Sequence, residues 1–584
     1  KEMAVRCLEV LCVVNRNYWE DIYKAGTIPS LVELLHSDQV PLKCLALGIL
    51  SNISNNNPVS RALVKSGAIQ VLVHLLHSRQ PELQSRCSVL LSDIAQIDSN
   101  QNVIAEMDGI SPLVHLLYEK YEDVLVNAVN CIRVLCIKNT ANQKAVRDLG
   151  AIPSLVEFLT AKSDILVSAA TDVIAELARD NKAIQDAVTK EGVIESLISI
   201  LRVRNINIQV KAAMTIEALC DHNPAVQKEF LTKSVTKHIS KLLKVFQLEV
   251  REQGSTTLWA LAGQTRKQQK AMAEYIGYKC IIDMLLSPSD KMQYIEFKGG
   301  EAIIALCKDS RHYQCQICEG NGIGPLVRLL RSPKVANGTL IRIIKALGIM
   351  CIGVAFINNP VAQEKIVEEN AIPTLLHLLK TQNSLHVKAI CLRAGYALSL
   401  FAYSSTMQQF NILENGGIKI SIYEPFLQSD IEPERALAAF QIVVLAKVIS
   451  DMDQITLCTK GVTVLTELLQ SKNPTTLVLT GELLATLAHI RTGIPEAITT
   501  LGTVKCLCNH LYSPDEEVRI ACANALGYLT FNRTASRHLL AECRTRPCLY
   551  NLLISNLSED ARMSKTFTDE FKIQKQIGLP SLRL

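Results

Sequence analysis

The sequence predicts an all-α protein built from stacked copies of one helical unit. Three observations carry that prediction. First, a turn followed by a short apolar run ending in Leu-Leu or similar recurs along the 584 residues. It reads AGTIPSLVELL from Ala25, SGAIQVLVHLL from Ser66, DGISPLVHLL from Asp108 and LGAIPSLVEFL from Leu149, then EGVIESLISIL from Glu191, GNGIGPLVRLL from Gly320, ENAIPTLLHLL from Glu369 and KGVTVLTELL from Lys460. Second, the turn residues that precede each phrase are evenly spaced. They fall near Gly26, Gly67, Asp108, Gly150, Gly192, Ser234, Gly277, Asn321, Asn370, Gly417, Gly461 and Gly502, mostly 41 to 45 residues apart and 47–49 apart around Asn370. Third, the apolar spacing between these turns is helical. A period of ~40–47 residues with helical signals alone belongs to stacked two- or three-helix repeats.

Each unit is predicted to hold three helices. A short first helix precedes the turn, as in PVSRALVKSG, and the glycine ends it, because a left-handed C-terminal residue favours Gly or Asn. A second helix follows, often with proline in its first turn (Pro29, Pro153, Pro373), where a missing N–H costs nothing. A polar turn such as HSDQ at His36 or HSRQ at His77 leads into a longer third helix. Its apolar residues fall at i, i+3 and i+4, as in LKCLALGILSNIS from Leu42. Asn57-Pro58, Asn223-Pro224 and Asn359-Pro360 mark the return into the next unit.

GAIPSLVEFL at Gly150 and LGILSNIS at Leu47 lie close to consensus phrases of the armadillo family, and the three-helix grammar resembles that family from Lys1 to about Ser555. The resemblance implies a right-handed superhelix (an α-solenoid) of about twelve three-helix repeats plus a partial N-terminal one, occupying 1–558. Irregularities are expected near 275–298 and 408–438, where the pattern degenerates into SPSDKMQYIEFK and IKISIYEPFL. Residues 559–584 are polar and aperiodic and read as a tail. The chain opens inside a helical pattern with no earlier partner helix, which reads as the C-terminal part of a longer protein.

Composition narrows the function classes. Apolar residues make up 48% and charged residues 20%, as in folded chains, while aromatics are only 5%. Cores are therefore expected to be Leu, Ile, Val and Ala. A net charge of +5 from 61 basic and 56 acidic residues does not suit a dedicated nucleic-acid binder. The longest apolar run, Ala346–Ile357, is shorter than the roughly 18 residues a membrane span needs. Nineteen cysteines sit mostly in apolar helical stretches, as Cys7, Cys44, Cys87, Cys131, Cys220 and Cys391 do, and read as small buried hydrophobes in a reducing, intracellular compartment.

Long repeat arrays are recognition scaffolds, so a site is sought on the surface. In the armadillo family the third helices line a concave groove, and the import receptors of the family carry Trp-x-x-x-Asn pairs there. That pair is absent: Trp19 is followed four residues later by Tyr23, and Trp259 by Gly263. The family asparagine matches at Asn52, and equivalent positions hold Asp93, Val134, Glu176, Ala218 and Ala260. A transport receptor is therefore disfavoured. Polar residues remaining on the implied groove are Asn52, Asp93, Asn130, Asp172, Glu176 and Arg179, a candidate face for a helical or extended protein segment. An ordinary solvated helix face is the competing reading.

Residues 202–279 contain thirteen Lys/Arg against six Asp/Glu, an excess of seven. Within them Lys228, Lys233, Lys237, Lys241 and Lys244 form a candidate patch for an acidic partner or tail, against the alternative of a plain charged surface. Cys307, His312, Cys315 and Cys318 supply half of a zinc spacing but no second half, so packing cysteines are favoured. Gly320, Gly322 and Gly324 fall in a repeat turn with no preceding strand and do not form a phosphate loop. His36, His74, His77 and His115 recur in repeat register. No catalytic residue, metal, cofactor or small-molecule substrate is expected. The function expected is a non-enzymatic interaction scaffold in the cytoplasm. Similarity to armadillo proteins of cilia adds a variant, a structural component docked on axonemal microtubules.

Overall fold

The computed structural model describes residues 2–14, 18–286, 292–353, 356–381, 385–490, 493–546, 548–559 and 561–576. Among them the regular structure is helical, with two isolated bridges, Ile352 with Asn358 and Ile418 with Ile449. The chain forms two compact units, Lys1–Met272 and Ala273–Leu584, and the division falls inside the helix Arg266–Ile276.

In Lys1–Met272 the helix Glu2–Val14 precedes a series of helix trios. The second trio shows the pattern. Asn57–Lys65 ends at Ser66, Gly67 turns the chain at φ 74°, Ala68–Leu76 follows, and Pro81–Ile94 is the longer third helix. Corresponding third helices are Val40–Ile53, Glu122–Cys136, Asp164–Ala178, Ile206–Cys220 and Leu248–Ala260. Leu47, Leu50, Leu63, Leu72, Leu90 and Leu91 are fully buried, and burying each such side chain contributes about 1.5–3 kcal/mol. The oily face of each trio is closed by its neighbours.

The turn chemistry was legible. Positive φ occurs at Gly26, Gly67, Asp108, Gly150, Gly192, Ser234, Gly277, Asn321, Asn370, Gly417 and Gly502, eleven of the twelve predicted turn residues. Gly461 is the exception and a correction. It lies inside one continuous helix, Gln454–Leu468, in which the expected first and second helices are fused. A Cβ there would stand 2.4 Å from Val443 Cγ2 and 2.6 Å from the Ala439 carbonyl oxygen. Its glycine serves close helix approach, not a turn.

The unit Ala273–Leu584 continues the trios with third helices Met292–Cys307, Asn337–Met350, Leu385–Phe401, Glu432–Val444, Pro474–Leu487 and Glu516–Leu529. Of the irregular stretch near 275–298, residues 287–291 lie outside the described residues. In the 408–438 stretch the second helix is reduced to a 3-10 turn, Ile420–Ile422, and one helical turn, Glu424–Leu427. Ile418 instead forms a parallel bridge to Ile449, and Asp451 accepts the Ile420 amide at 2.9 Å. Its β-branched Ile-Lys-Ile-Ser-Ile run suits an extended backbone better than a helix. Beyond Ser558, the helix Lys565–Gln576 packs against Leu549–Ser555: Tyr550 stacks on Phe571 with ring centroids 3.7 Å apart, and Phe567 is fully buried. Residues 577–584 lie outside the described residues. No single helix among the described residues is long and apolar enough to cross a membrane.

Candidate partner-binding face

The last carbonyls of a helix have no partner within it. Here a buried glutamine supplies one. Gln143 Nε2 donates to the carbonyl of Cys136, the end of one third helix, at 3.1 Å, and to that of Glu176 in the next at 3.4 Å. Gln185 does the same to Ala178 at 3.1 Å and Ala218 at 3.0 Å, and Gln227 to Cys220 at 2.9 Å and Ala260 at 3.0 Å. The glutamine oxygen is then used by the next repeat: Asn181 Nδ2 donates to Gln143 Oε1 at 3.0 Å, and Asn223 to Gln185 at 3.1 Å. Each asparagine also caps its own first helix, at Ile184 N and Val226 N. In the second unit Gln314 bridges Cys307 and Ile349, and accepts from Asn359 at 3.0 Å. This spine pins the C-terminal ends of consecutive third helices, which carry the candidate face.

On that face polar contacts also step from one third helix to the next. The Ser54 hydroxyl, at the end of the first, donates to Asp93 at 2.6 Å. Asn127 donates to Ser85 at 2.8 Å, Lys211 to Asp172 at 2.5 Å and Gln253 to Glu217 at 2.6 Å. Asn52 is exposed, two residues before Ser54, and Asn130 is half-buried. Glu176 and Arg179 approach within 4.0 Å, one helical turn apart. Burial pushes the Asp93 carboxyl above its usual range, and the Ser54 hydrogen bond only partly offsets it. Of the six predicted residues, Asp93, Asp172, Glu176 and Arg179 thus have partners inside the chain. The other equivalents, Val134, Ala218 and Ala260, are buried.

The five predicted lysines are all exposed. Lys228 lies on the first helix Pro224–Thr232 and Lys233 just beyond it, donating to Glu195 at 2.7 Å. Lys237, Lys241 and Lys244 follow on the short second segment. His238 there lies 3.5 Å from the Arg202 guanidinium of the preceding repeat. Burial, then Arg202, Lys241 and Lys237, push its imidazole below the usual range.

Among the cysteine-histidine group, Cys307 and Cys318 are buried, and burial lifts the Cys318 thiol to about 12. Among the described residues no three His, Cys, Asp or Glu side chains come together as a metal site. Gly322 packs on Ile317, whose Cγ2 would be 2.5 Å from an added Cβ. One cysteine expectation is corrected: Cys7 is exposed.

The glutamine spine was missed in the sequence, although Gln101, Gln143, Gln185 and Gln227 repeat every 42 residues. An exposed phenyl ring at Phe246 was missed too.

Residues 56–96 and 493–531 match the armadillo/beta-catenin-like repeat family, and each match spans one complete helix trio. The chain is 56% identical over 623 aligned positions to the ankyrin and armadillo repeat-containing protein of Mus musculus, covering 100% of this chain and 42% of that protein. It is 51% identical over 307 positions to the Homo sapiens protein of the same name, covering 45% of this chain and 21% of that one. The chain thus spans well under half the length of these relatives, and it contains no Thr-Pro-Leu-His phrase of ankyrin repeats. Among solved structures, an engineered protein superposes with a TM-score of 0.56 at 22% identity, covering 72% of this chain and 98% of its own, a likeness of fold. With its helix trios, its left-handed turns and these matches, the chain is an array of armadillo repeats.

Proposed function

We propose that the chain is a binding scaffold without chemistry of its own, holding a helical or extended protein segment on the third-helix face of Lys1–Met272. The supporting observation is the run of polar side chains, Asn52, Asp93, Asn130, Asp172, Glu176 and Arg179, on or just beyond consecutive third helices, the later of which the glutamine spine fixes at their ends. A pre-ordered face spares most of the entropy of organising a receptor. Contacts spread over several repeats add avidity. Asp93, half-buried and bonded to the Ser54 hydroxyl, with no cation beside it among the described residues, favours a segment that brings hydrogen-bond donors or a positive charge.

The test is co-purification from native tissue with the wild-type chain and with the Asp172→Lys, Glu176→Lys double variant. The reading expects at least one partner to be lost from the variant. Equal recovery of every partner removes this face.

A further inference from the structure

We propose that two adjacent turns, Arg202–Arg204 and Lys244–Phe246, form a second docking surface for an acidic protein segment whose apolar side chains pack on Phe246. The inference rests on the scaffold reading but uses a different surface.

In five connections from second to third helix the same brace recurs. A residue in the first turns of the third helix reaches back six positions to a turn carbonyl: Gln84 to Ser78 at 2.8 Å, Gln209 to Val203, Arg251 to Val245 at 3.2 Å, Arg435 to Ser429 at 3.3 Å and Arg519 to Ser513 at 2.9 Å. The residue after that carbonyl is the exposed tip. It is Arg79, Arg204, Asp430 or Pro514 in four of these turns and Phe246 in the fifth. Phe246 is 98% exposed, and Arg251 also holds its carbonyl at 2.6 Å, so the ring is presented from a fixed backbone. A fully hydrated phenyl ring stabilises nothing in the fold; covered by a partner it contributes apolar burial, and the held backbone lowers the ordering cost.

The surroundings are cationic. Lys244 and Phe246 occupy the register of Arg202 and Arg204 one repeat earlier, 42 residues apart. Arg202 reaches His238 across the two layers at 3.5 Å, and Lys237 and Lys241 flank His238. Lys233, by contrast, is paired with Glu195. Charge complementarity therefore selects an acidic ligand, and Phe246 adds an apolar contact that a purely acidic one would leave unused. A protein segment fits better than an anionic lipid surface. Exposed Glu249, three residues after Phe246, would face the same sheet of negative charge, whereas a peptide can place its carboxylates away from it.

The full chain is titrated with a labelled amphipathic Glu-Leu peptide, a Glu-Gly peptide and vesicles of phosphatidylcholine with phosphatidylserine. The Glu-Leu peptide is expected to bind in a salt-sensitive way. Phe246→Ser and the Arg202→Glu, Lys241→Glu pair should each weaken it roughly tenfold or more, with unchanged circular dichroism. No binding of the Glu-Leu peptide, equal binding by Phe246→Ser, equal binding of the Glu-Gly peptide, or binding of vesicles alone overturns the proposal. The Asp172→Lys, Glu176→Lys variant should bind the peptide like wild type, so failure of the groove reading and failure of this one are separable.

Discussion

Asn223 Nδ2 donates to Gln185 Oε1 at 3.1 Å across a separation of 38 residues, joining the start of one repeat to the first helix of the repeat before it. Both side chains are buried, and both satisfy backbone as well as each other: Asn223 accepts the Val226 amide, and Gln185 donates to Ala178, Ala218 and Asp221. One amide therefore ties two successive third helices together. The candidate face inherits its spacing from such joints, since repeat arrays are held only by neighbour contacts.

Gln185→Leu is expected to destabilise by about 1–3 kcal/mol. It leaves the Ala218 carbonyl and one Asn223 N–H without partners in a buried place, and the Ala178 carbonyl keeps only the Asn181 amide. The comparison is Lys182→Gln, an exposed change on the same helix, expected within about 0.5 kcal/mol of wild type. Urea unfolding followed by circular dichroism measures both. A Gln185→Leu midpoint equal to wild type would show that the spine bond carries no net stability.

What the sequence shows plainly is local. A positive-φ turn between two helices is a demand on one residue, and Gly, Asn, Asp or Ser stands at those places in regular spacing. Gly461 has the same spacing and the same neighbours in sequence, yet its reason is Ala439 and Val443 of an adjacent helix, which no local pattern records. The Gln185 joint is hidden likewise, because glutamine on a short amphipathic helix reads as surface until the next repeat covers it. The candidate face was legible as positions but not as partnerships: Asp172 reads as a free carboxylate, while Lys211 holds it from the following helix.

Gly461→Ala is expected to be destabilising, against helix propensity. Propensity alone would favour alanine in a helix interior by about 1 kcal/mol. The added methyl meets a backbone oxygen at 2.6 Å, which cannot swing aside, and overpacking costs about 1–3 kcal/mol. Gly502→Ala also loses about 1–2 kcal/mol, from a left-handed backbone (φ 77°) with open space around it. Thermal unfolding of the two variants distinguishes the causes: D-alanine by semisynthesis should rescue position 502 and not 461. A Gly461→Ala chain at or above wild-type stability would refute the close approach.

Thiol labelling should split the nineteen cysteines by burial. Cys7 and Cys548 are exposed and should react first with a maleimide on the native chain. Cys87, Cys131, Cys136, Cys220 and Cys351 are buried, with thiols that burial pushes well above the usual range, so they should react only after unfolding. The thiolate is the reacting form, so burial and suppressed ionisation act in the same direction. Mass spectrometry of tryptic peptides reads each site. Early modification of Cys131 or Cys220 would contradict the packing of their third helices.

Glu296 gives the chain a pH dependence of definite sign. It is 1% exposed on Met292–Cys307, its Oε2 has no hydrogen-bond partner among the described residues, and burial raises its carboxyl to about 7 from an ordinary 4.5. The folded chain therefore keeps a proton there that the unfolded chain has already released. Where the native state binds more protons, stability falls as pH rises. The loss should accumulate between about pH 4.5 and 7 and level off above that window. Glu296→Gln, which cannot ionise, should match wild type near pH 5 and resist urea better at pH 8. Unfolding curves of both chains at the two pH values measure the difference. A variant that is less stable than wild type at pH 8 would mean that the carboxylate is held by a partner, and that burial does not control its ionisation.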